Sequence, residues 1–264
     1  MNVLVFDIET IPDVAAGRQL YGVSDLSDKD VGQIMFLKRR EQTGDSDFLR
    51  LHLHRIVAIS AVLRTSDKLK VWSLGSADSS EAELLQRFFD GIDRFTPTLV
   101  SWNGGGFDLP VIHYRSLVHG IVAPRYWDSG REDKDFKWNN YLSRFHERHT
   151  DLMDVLAAYQ VRANAPLDEI ATLLGLPGKM GVSGAGVWDQ FLAGEIEAIR
   201  NYCETDVLNT YLIYLRFELI RGHLNEKQVQ TECQKVRELL QESDQPHLKD
   251  FLAAWKDRHL AGNV

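Results

Sequence analysis

The chain begins with an apolar run, Val3-Leu-Val-Phe6, that is followed directly by the acidic residues Asp7 and Glu9. Because the run is apolar on both faces, it is typical of a central strand in a sheet that is covered on both sides. Side chains two apart on a strand point to the same face, so the two carboxylates are predicted to converge where this strand ends. Two like charges at the edge of a core need a compensating cation or an exit to solvent, and this motif alone leaves both interpretations open.

The remaining patterns predict one α/β domain with a mixed sheet flanked by helices. Further strands are predicted at 55–63, 69–74 and 98–102, and helices at 80–95, 107–119, 167–174 and 195–220. Residues 150–156 fit either a short strand or the start of a helix, and residues 12–50 are predicted to be an insertion with a helical piece near 28–41. The tail from 225 to 259 predicts two amphipathic helices broken near 243–246. We therefore expect a domain over 1–220 and a helical C-terminal extension, 221–264, packed on it.

Composition excludes several classes of protein. With 44% hydrophobic and 26% charged residues, the chain is neither disordered nor fibrous, and its two cysteines cannot form a disulfide framework. No apolar run reaches the roughly 20 residues of a membrane helix, and the N-terminus has no basic region of a signal peptide, which predicts a cytoplasmic protein. A net charge of −8 argues against wrapping long duplex nucleic acid, although it leaves room for a short local contact.

Two further segments carry isolated acids. In Ser101-Trp-Asn-Gly-Gly-Gly-Phe-Asp108 the glycines allow a tight turn, and Asp108 falls in the first turn of the next helix, where it would be a capping residue or part of a site. The glycines are a weak match to a phosphate-binding loop. In Asn201-Tyr-Cys-Glu-Thr-Asp206, Tyr202 and Asp206 share one face of an otherwise apolar helix. Taken together, Asp7, Glu9, Asp108 and Asp206 favour one oxygen-ligand site for hard divalent cations such as Mg²⁺ or Mn²⁺.

These motifs resemble those of a known superfamily. Asp-Ile-Glu-Thr on the first strand, Asn-x-x-x-Phe-Asp at a strand–helix junction and Tyr-x-x-x-Asp on a late helix are similar to the three exonuclease motifs of the DEDD superfamily, which has the ribonuclease H-like fold. The resemblance is to the proofreading domain of family B DNA polymerases, and more closely to stand-alone bacterial exonucleases related to it. It runs from residue 1 to about 220. Since position 201 is Asn rather than His, the chain resembles the tyrosine variety.

The resemblance implies roles for individual residues. Asp7, Glu9, Asp108 and Asp206 would hold two divalent metal ions, Mg²⁺ or Mn²⁺, and Tyr202 would orient the attacking water. Thr10, Asn103 and Phe107 match positions that hold a single-stranded 3′ end, although Phe107 also fits ordinary core packing. Lys179, in Lys-Met-Gly-Val182, matches a lysine that neutralises charge developing on the phosphate, with a solvated loop lysine as the alternative.

The implied function is a metal-dependent 3′–5′ exonuclease that removes nucleotides from single-stranded DNA. RNA as the substrate and a non-catalytic single-strand-binding module remain open, and a haloacid dehalogenase-type phosphatase is a remote alternative. No polymerase motif is evident, so a role in DNA replication or repair would need a separate polymerase or repair complex as a partner.

Weaker patterns have structural interpretations or stay open. Residues 125–149 interleave basic and aromatic side chains, which suits a single-strand surface or a packed excursion. His146, His149 and Asp151 have a zinc-like spacing with no completing ligand, and Asp151 is alternatively an acid near the main site. His52 and His54 are predicted to lie at the surface, and Cys203 to be a small buried side chain rather than a nucleophile.

Overall fold

A five-stranded mixed sheet organises the protein in a computed structural model that describes residues 2–180 and 184–256. Its strands are β1 (Val3–Pro12), β2 (His54–Arg64), β3 (Leu69–Ser73), β4 (Thr98–Ser101) and β5 (His149–Asp151), in the order β3-β2-β1-β4-β5. The strand β2 is antiparallel to β1 and β3, whereas β4 is parallel to β1 and β5. Residues Val3–Phe6 of central β1 are buried and apolar on both faces, as the sequence predicted, and the arrangement is the ribonuclease H-like α/β fold.

Helices cover both faces of the sheet. They are α1 (Val14–Tyr21), α2 (Asp28–Thr43), α3 (Glu81–Phe95), α4 (Asp108–His119), α5 (Pro124–Trp127), α6 (Leu152–Leu156), α7 (Leu167–Leu173), α8 (Val187–Leu192), α9 (Ile196–Ile220), α10 (Glu226–Glu242) and α11 (Pro246–Ala254). Short 3₁₀ turns occur at Leu51–Leu53, Lys134–Lys137, Val161–Ala163 and Gly184–Gly186. None of the described helices combines the length and hydropathy that a membrane crossing requires.

Several predicted boundaries need correction. The first strand continues to Pro12, so Asp7 and Glu9 lie inside it rather than at its end, because antiparallel β2 pairs with β1 along its whole length. The fourth strand stops at Ser101. Residues 150–156 contain both predicted elements in succession, the end of β5 and then α6. The helix α1 was not predicted, since Gly17 lies within it.

Alternation along β1 decides what each face contacts. Leu4, Phe6 and Ile8 belong to the core under α3 and α4. Val3 and Val5 belong to a second core under α9, α10 and α11. Because side chains alternate, the residues that follow Val5 on the same face, Asp7 and Glu9, must also face α9.

The C-terminal helices pack on the side of the sheet that α9 covers. Val229 and Val236 of α10 and Phe251 of α11 are buried in the same core as α9. A half-buried ion pair of 2.6 Å joins Glu232 of α10 to Arg64 at the end of β2. The extension therefore contacts the sheet far from the acidic stretch of β1, at the opposite end of that strand.

The insertion between β1 and β2 forms a small layer of its own. The buried residues Val14, Val31, Met35, Leu49 and Leu53 form its core, against which Trp188 of α8 packs. A Cβ atom on Gly32 of α2 would lie only 3.0 Å from Trp188 Nε1, so the glycine permits this close approach of α2 to α8.

Candidate active site

Acidic side chains of β1 meet the middle of α9. One carboxylate oxygen from each of Asp7 and Glu9 and the Sγ atom of Cys203 all lie within 4.8 Å of one another. Asp206 lies one helical turn after Cys203 and Tyr202 on α9, and its charge acts on both strand acids. Residues about 200 positions apart are thus brought together, because β1 is central and α9 lies across its acidic face.

Asp108 joins this cluster from the neighbouring strand. The strand β4 pairs with β1 only as far as Val5, so the N–H groups of β1 beyond that point lack a β4 partner. The backbone N–H of Ile8 instead donates a 3.1 Å hydrogen bond to Asp108 Oδ1. Asp108 begins α4 and is buried, so the helix start and the unpaired strand edge together hold this carboxylate beside Asp7.

The glycine-rich turn before Asp108 is shaped by Asp151. The Asp151 carboxylate accepts hydrogen bonds from the backbone N–H groups of Asn103 (2.9 Å) and Gly105 (2.8 Å). It also caps α6, and its charge raises the pKa of Asp108. Two amide donors of the turn are therefore already used within the protein, which argues against the phosphate-loop interpretation and makes Asp151 a neighbour of the site.

Without a compensating cation, it is strongly unfavourable for all four carboxyl groups of the cluster to be ionised. Burial and the charges of Asp108, Glu9 and Asp206 raise the pKa of the Asp7 carboxyl. Burial and neighbouring acids likewise raise the pKa of Glu9, and burial raises the pKa values of Asp108 and Asp206. A group of carboxylates that repel one another in a core matches the oxygen donor set and the charge that hard divalent cations prefer.

Tyr202 and Cys203 remain protonated beside these acids. Burial and the charges of Asp206, Glu9 and Asp7 raise the pKa of the Tyr202 phenol far above its usual value. Burial and Asp7 likewise raise the pKa of the Cys203 thiol, whose Sγ lies 3.4 Å from the Asp7 carbonyl oxygen. Tyr202 can therefore donate a hydrogen bond but cannot serve as a base near neutral pH. Cys203 is fully buried, as predicted.

A cleft of about 770 Å³ opens beside the acids. Glu9, Thr10, Asn103, Phe107 and Lys179 all line it. The structure thus brings Thr10, Asn103 and Phe107, which the resemblance associated with a 3′ end, to the same cleft as an acid of the cluster. Asn103 has a left-handed backbone (φ 65°), which presents it at the bend of the turn.

Lys179 reaches the site electrostatically. Its side chain is exposed and lines the cleft. Its charge partly offsets the rise in the pKa values of Glu9 and Asp206 that burial causes. The backbone N–H of Lys179 donates to Asp168 Oδ1 at 2.6 Å, which holds the loop to α7. The end of its motif, Gly181 and Val182, lies outside the described residues.

The insertion, for which the sequence indicated no function, also lines the cleft. Phe36, Phe48 and Leu49 line it. The Phe48 ring is 54% exposed and packs against Phe107 at a centroid distance of 5.8 Å. Phe107 also contacts the hydrophobic core, so its packing and cleft interpretations are compatible.

His54 lines the cleft, and its predicted exposure was wrong. It was predicted at the surface, yet it is buried at the start of β2, with its ring 5.2 Å from the Phe107 ring. Its Nδ1 atom lies 2.8 Å from Thr10 Oγ1. The fold of the insertion covers this histidine, and no local pattern around residue 54 signals that cover. His52, two residues earlier, is exposed as expected.

Two weaker patterns of the sequence are the zinc-like spacing of His146, His149 and Asp151 and the basic and aromatic segment 125–149. His149 is bonded to Ser101 Oγ, His146 Nδ1 accepts from the Asn140 N–H, and Asp151 accepts backbone N–H groups, so their zinc-like spacing forms no joint site. In residues 125–149 the aromatic side chains Tyr126, Phe136 and Tyr141 are buried in the core. Arg148 lies 4.0 Å over the Phe136 ring, so this part of the segment is packed. Trp127, Trp138 and Phe145 of the same segment are exposed, and the single-strand surface stays a prediction.

Comparisons with known proteins agree with this geometry. A family described as predicted 3′–5′ exonucleases related to the exonuclease domain of PolB matches residues 46–255. A segment of 45 residues is 49% identical to the catalytic subunit of DNA polymerase epsilon from Saccharomyces cerevisiae, and it spans 17% of this chain and 2% of that polymerase. The family match includes Asp108, Tyr202 and Asp206, whereas Asp7 and Glu9 precede it. In the fold, β1 nevertheless places both acids against α9, which carries Tyr202 and Asp206.

Proposed function

The chain belongs to the predicted 3′–5′ exonucleases related to the exonuclease domain of PolB, and on that premise we propose that it removes nucleotides from the 3′ end of single-stranded DNA with two divalent metal ions. The observation that carries this proposal is the convergence of Asp7, Glu9, Asp108 and Asp206 beside one cleft. The family match leaves no role for the haloacid dehalogenase-type alternative.

The donor set fits the metal ions. Four carboxylates converge in a largely buried place, and Lys179 is the cation that acts on them among the described residues. We propose that Asp7, Glu9, Asp108 and Asp206 would hold Mg²⁺ or Mn²⁺, and the charges of the three other acids all act on Asp7. Bound there, the ions would activate water and stabilise the charge that develops on the phosphate and the leaving oxygen.

The other residues of the site would bind and orient. Tyr202, protonated across the physiological range, would donate a hydrogen bond that orients the attacking water or the scissile phosphate. Lys179 would add positive charge on the cleft side, where a phosphate approaches Glu9 and Asp206. These roles match what the resemblance implied for both residues.

The lining of the cleft and the net charge of the protein favour binding of a single strand over binding of a duplex. Phe107 and Phe48 are in contact on this lining, and the exposed ring of Phe48 offers a face on which an unpaired base can stack. The protein carries a net charge of −8, so extended contact with a duplex backbone would be repulsive outside this cleft. We propose a separate polymerase or repair complex in the cytoplasm as the partner.

An assay on single strands labelled at the 5′ end tests the proposal. With Mg²⁺ or Mn²⁺ we expect a ladder that shortens from the 3′ end and releases mononucleotides. Excess EDTA and the variant Asp206→Asn should each abolish it, and activity that survives either would reject the metal mechanism. Matched RNA oligomers in the same assay decide the substrate, since faster cleavage of RNA would overturn the DNA preference.

A further inference from the structure

His54 and Thr10 form a buried hydrogen-bonded pair at the edge of the cleft. The His54 ring lies under the insertion and is only 8% exposed. Its Nδ1 atom is 2.8 Å from Thr10 Oγ1, and its Nε2 atom is 3.3 Å from the Leu49 carbonyl oxygen. One ring thus connects the insertion, through Leu49, to the residue that follows Glu9 on β1.

The Leu49 contact fixes the tautomer of His54. A carbonyl oxygen can only accept, so Nε2 must carry the proton of this hydrogen bond. Burial lowers the pKa of His54, and the ring is therefore neutral near pH 7 with an unprotonated Nδ1. That nitrogen accepts, and the Thr10 hydroxyl has to donate its proton to it. The Thr10 oxygen then offers only acceptor lone pairs to anything that enters the cleft.

An acceptor at this position discriminates between chemical groups at the end of a strand. A hydroxyl group can donate to Thr10, whereas a phosphate oxygen cannot, and a hydrogen atom in place of the hydroxyl makes no bond. Asp189 also lines the cleft, so a terminal phosphate would meet like charge there. Thr10 is half-buried and lines the same cleft as Glu9, so the acceptor faces anything that binds there.

We propose that His54 is a positioning residue that commits the Thr10 hydroxyl as an acceptor for the terminal 3′-hydroxyl, so that the cleft selects strands with a free 3′-hydroxyl. This inference rests on the proposed exonuclease function and adds a residue that positions one of its contacts with the strand end. His54 would act through its hydrogen bond with Thr10.

Binding of three oligonucleotides tests the inference. The strands share one sequence and end in a 3′-hydroxyl, a 3′-hydrogen or a 3′-phosphate, and their affinities are measured by fluorescence anisotropy with Mg²⁺ in the inactive Asp206→Asn background. The hydroxyl end should bind about threefold to tenfold more tightly than the 3′-deoxy end, the range expected for one hydrogen bond, and the phosphate end should bind most weakly.

Variants separate positioning from a merely structural role. His54→Leu should reduce the hydroxyl-to-deoxy ratio to about one, whereas His54→Asn, whose Oδ1 can accept in place of Nδ1, should retain it. Thr10→Val should also reduce this ratio to about one. Because it leaves the histidine ring in place, it keeps the test valid if His54→Leu folds poorly. The matched control is His113→Leu, which removes another largely buried histidine, bonded to the Tyr126 hydroxyl outside the cleft, and should leave the ratio unchanged.

The outcomes distinguish this inference from the proposed function. Equal affinity of the wild-type cleft for the hydroxyl and 3′-deoxy ends, or a ratio that persists in Thr10→Val, would overturn the role of the pair even if the protein degrades DNA. Failure of the wild-type protein to degrade any strand would instead reject the exonuclease proposal, whatever the ratio.

Discussion

The backbone N–H of Ile8 donates a 3.1 Å hydrogen bond to the carboxylate of Asp108, a residue 100 positions later in the chain. This contact occupies an edge of β1 that β4 is too short to pair. It anchors one acid of the cluster to the strand that carries Asp7 and Glu9. Because both partners lie on regular elements, the carboxylates are held in place by the fold itself, as a preorganised site requires.

Neutralising one acid should affect activity and stability in opposite directions. Asp7→Asn should lower the cleavage rate by about a thousandfold or more, because several kcal/mol of metal-dependent stabilisation are lost. In EDTA at neutral pH the same variant should unfold at a higher temperature, since a neutral amide replaces the buried carboxyl that its neighbours repel. Asp93→Asn, which changes an exposed acid of α3, is the control and should alter neither quantity. A loss of stability in metal-free Asp7→Asn would contradict the repulsion argument.

Two tyrosines of α9 should separate catalysis from packing. Tyr202→Phe should reduce the cleavage rate by up to about a hundredfold, since it loses the hydroxyl proposed to orient the water. It should lower stability by no more than about 1 kcal/mol, since that hydroxyl also bonds Asp206. Tyr211→Phe removes a hydrogen bond of 3.2 Å to Glu232 and should leave the rate unchanged while lowering stability by about 1 kcal/mol. Rates and urea unfolding of both variants provide the measurement. A similar loss of rate in the two variants would show that Tyr202 acts only through folding.

The exposed ring of Phe48 should contribute to binding of the strand. Phe48→Ala should weaken binding of single-stranded DNA by roughly 1–3 kcal/mol, the range for loss of one base-stacking contact. The effect should fall on KM more than on kcat, because the ring lies on the cleft wall. Phe145→Ala removes a ring that is 72% exposed and does not line the cleft, so it serves as the control. If Phe48→Ala and wild type bind single-stranded DNA with equal affinity, the Phe48 ring of the insertion is not part of the binding surface.

Buried His149 should make the protein sensitive to acid. Burial lowers the pKa of His149 to about 4, with the charge of His113 adding to this and that of Asp154 opposing it. The unfolded chain therefore binds the proton first. The stability from the neutral ring is fully present above about pH 6.5 and is lost as the pH falls towards 4.

The variant His149→Gln should isolate this effect. It can keep a hydrogen bond to Ser101 but cannot titrate. Between pH 7 and pH 4, wild type should lose about 3 kcal/mol more of its unfolding free energy than the variant. Urea unfolding across this range measures the difference, and parallel curves for the two proteins would rule out His149 as the source.

Local patterns in the sequence determined most of the fold. The apolar run at Val3–Phe6, the helix pattern at 80–95 and the glycines before Asp108 each specify a structure through neighbours within a few residues, and the structure agrees with all three. The four acids were recognisable for the same reason, because each stands out against an apolar strand or helix, or at a glycine-rich turn.

Only the tertiary structure decided what surrounds those acids. The local sequence predicts an exposed His54 before a strand, yet the insertion covers it, so its burial depends on contacts with Leu49, Phe48 and Phe107 that no spacing encodes. The cleft wall at Phe48 arises in the same way. Periodicity reports which face of an element is buried, but the partner that buries it is fixed by packing between distant segments, and the proposed specificity of this site depends on that packing.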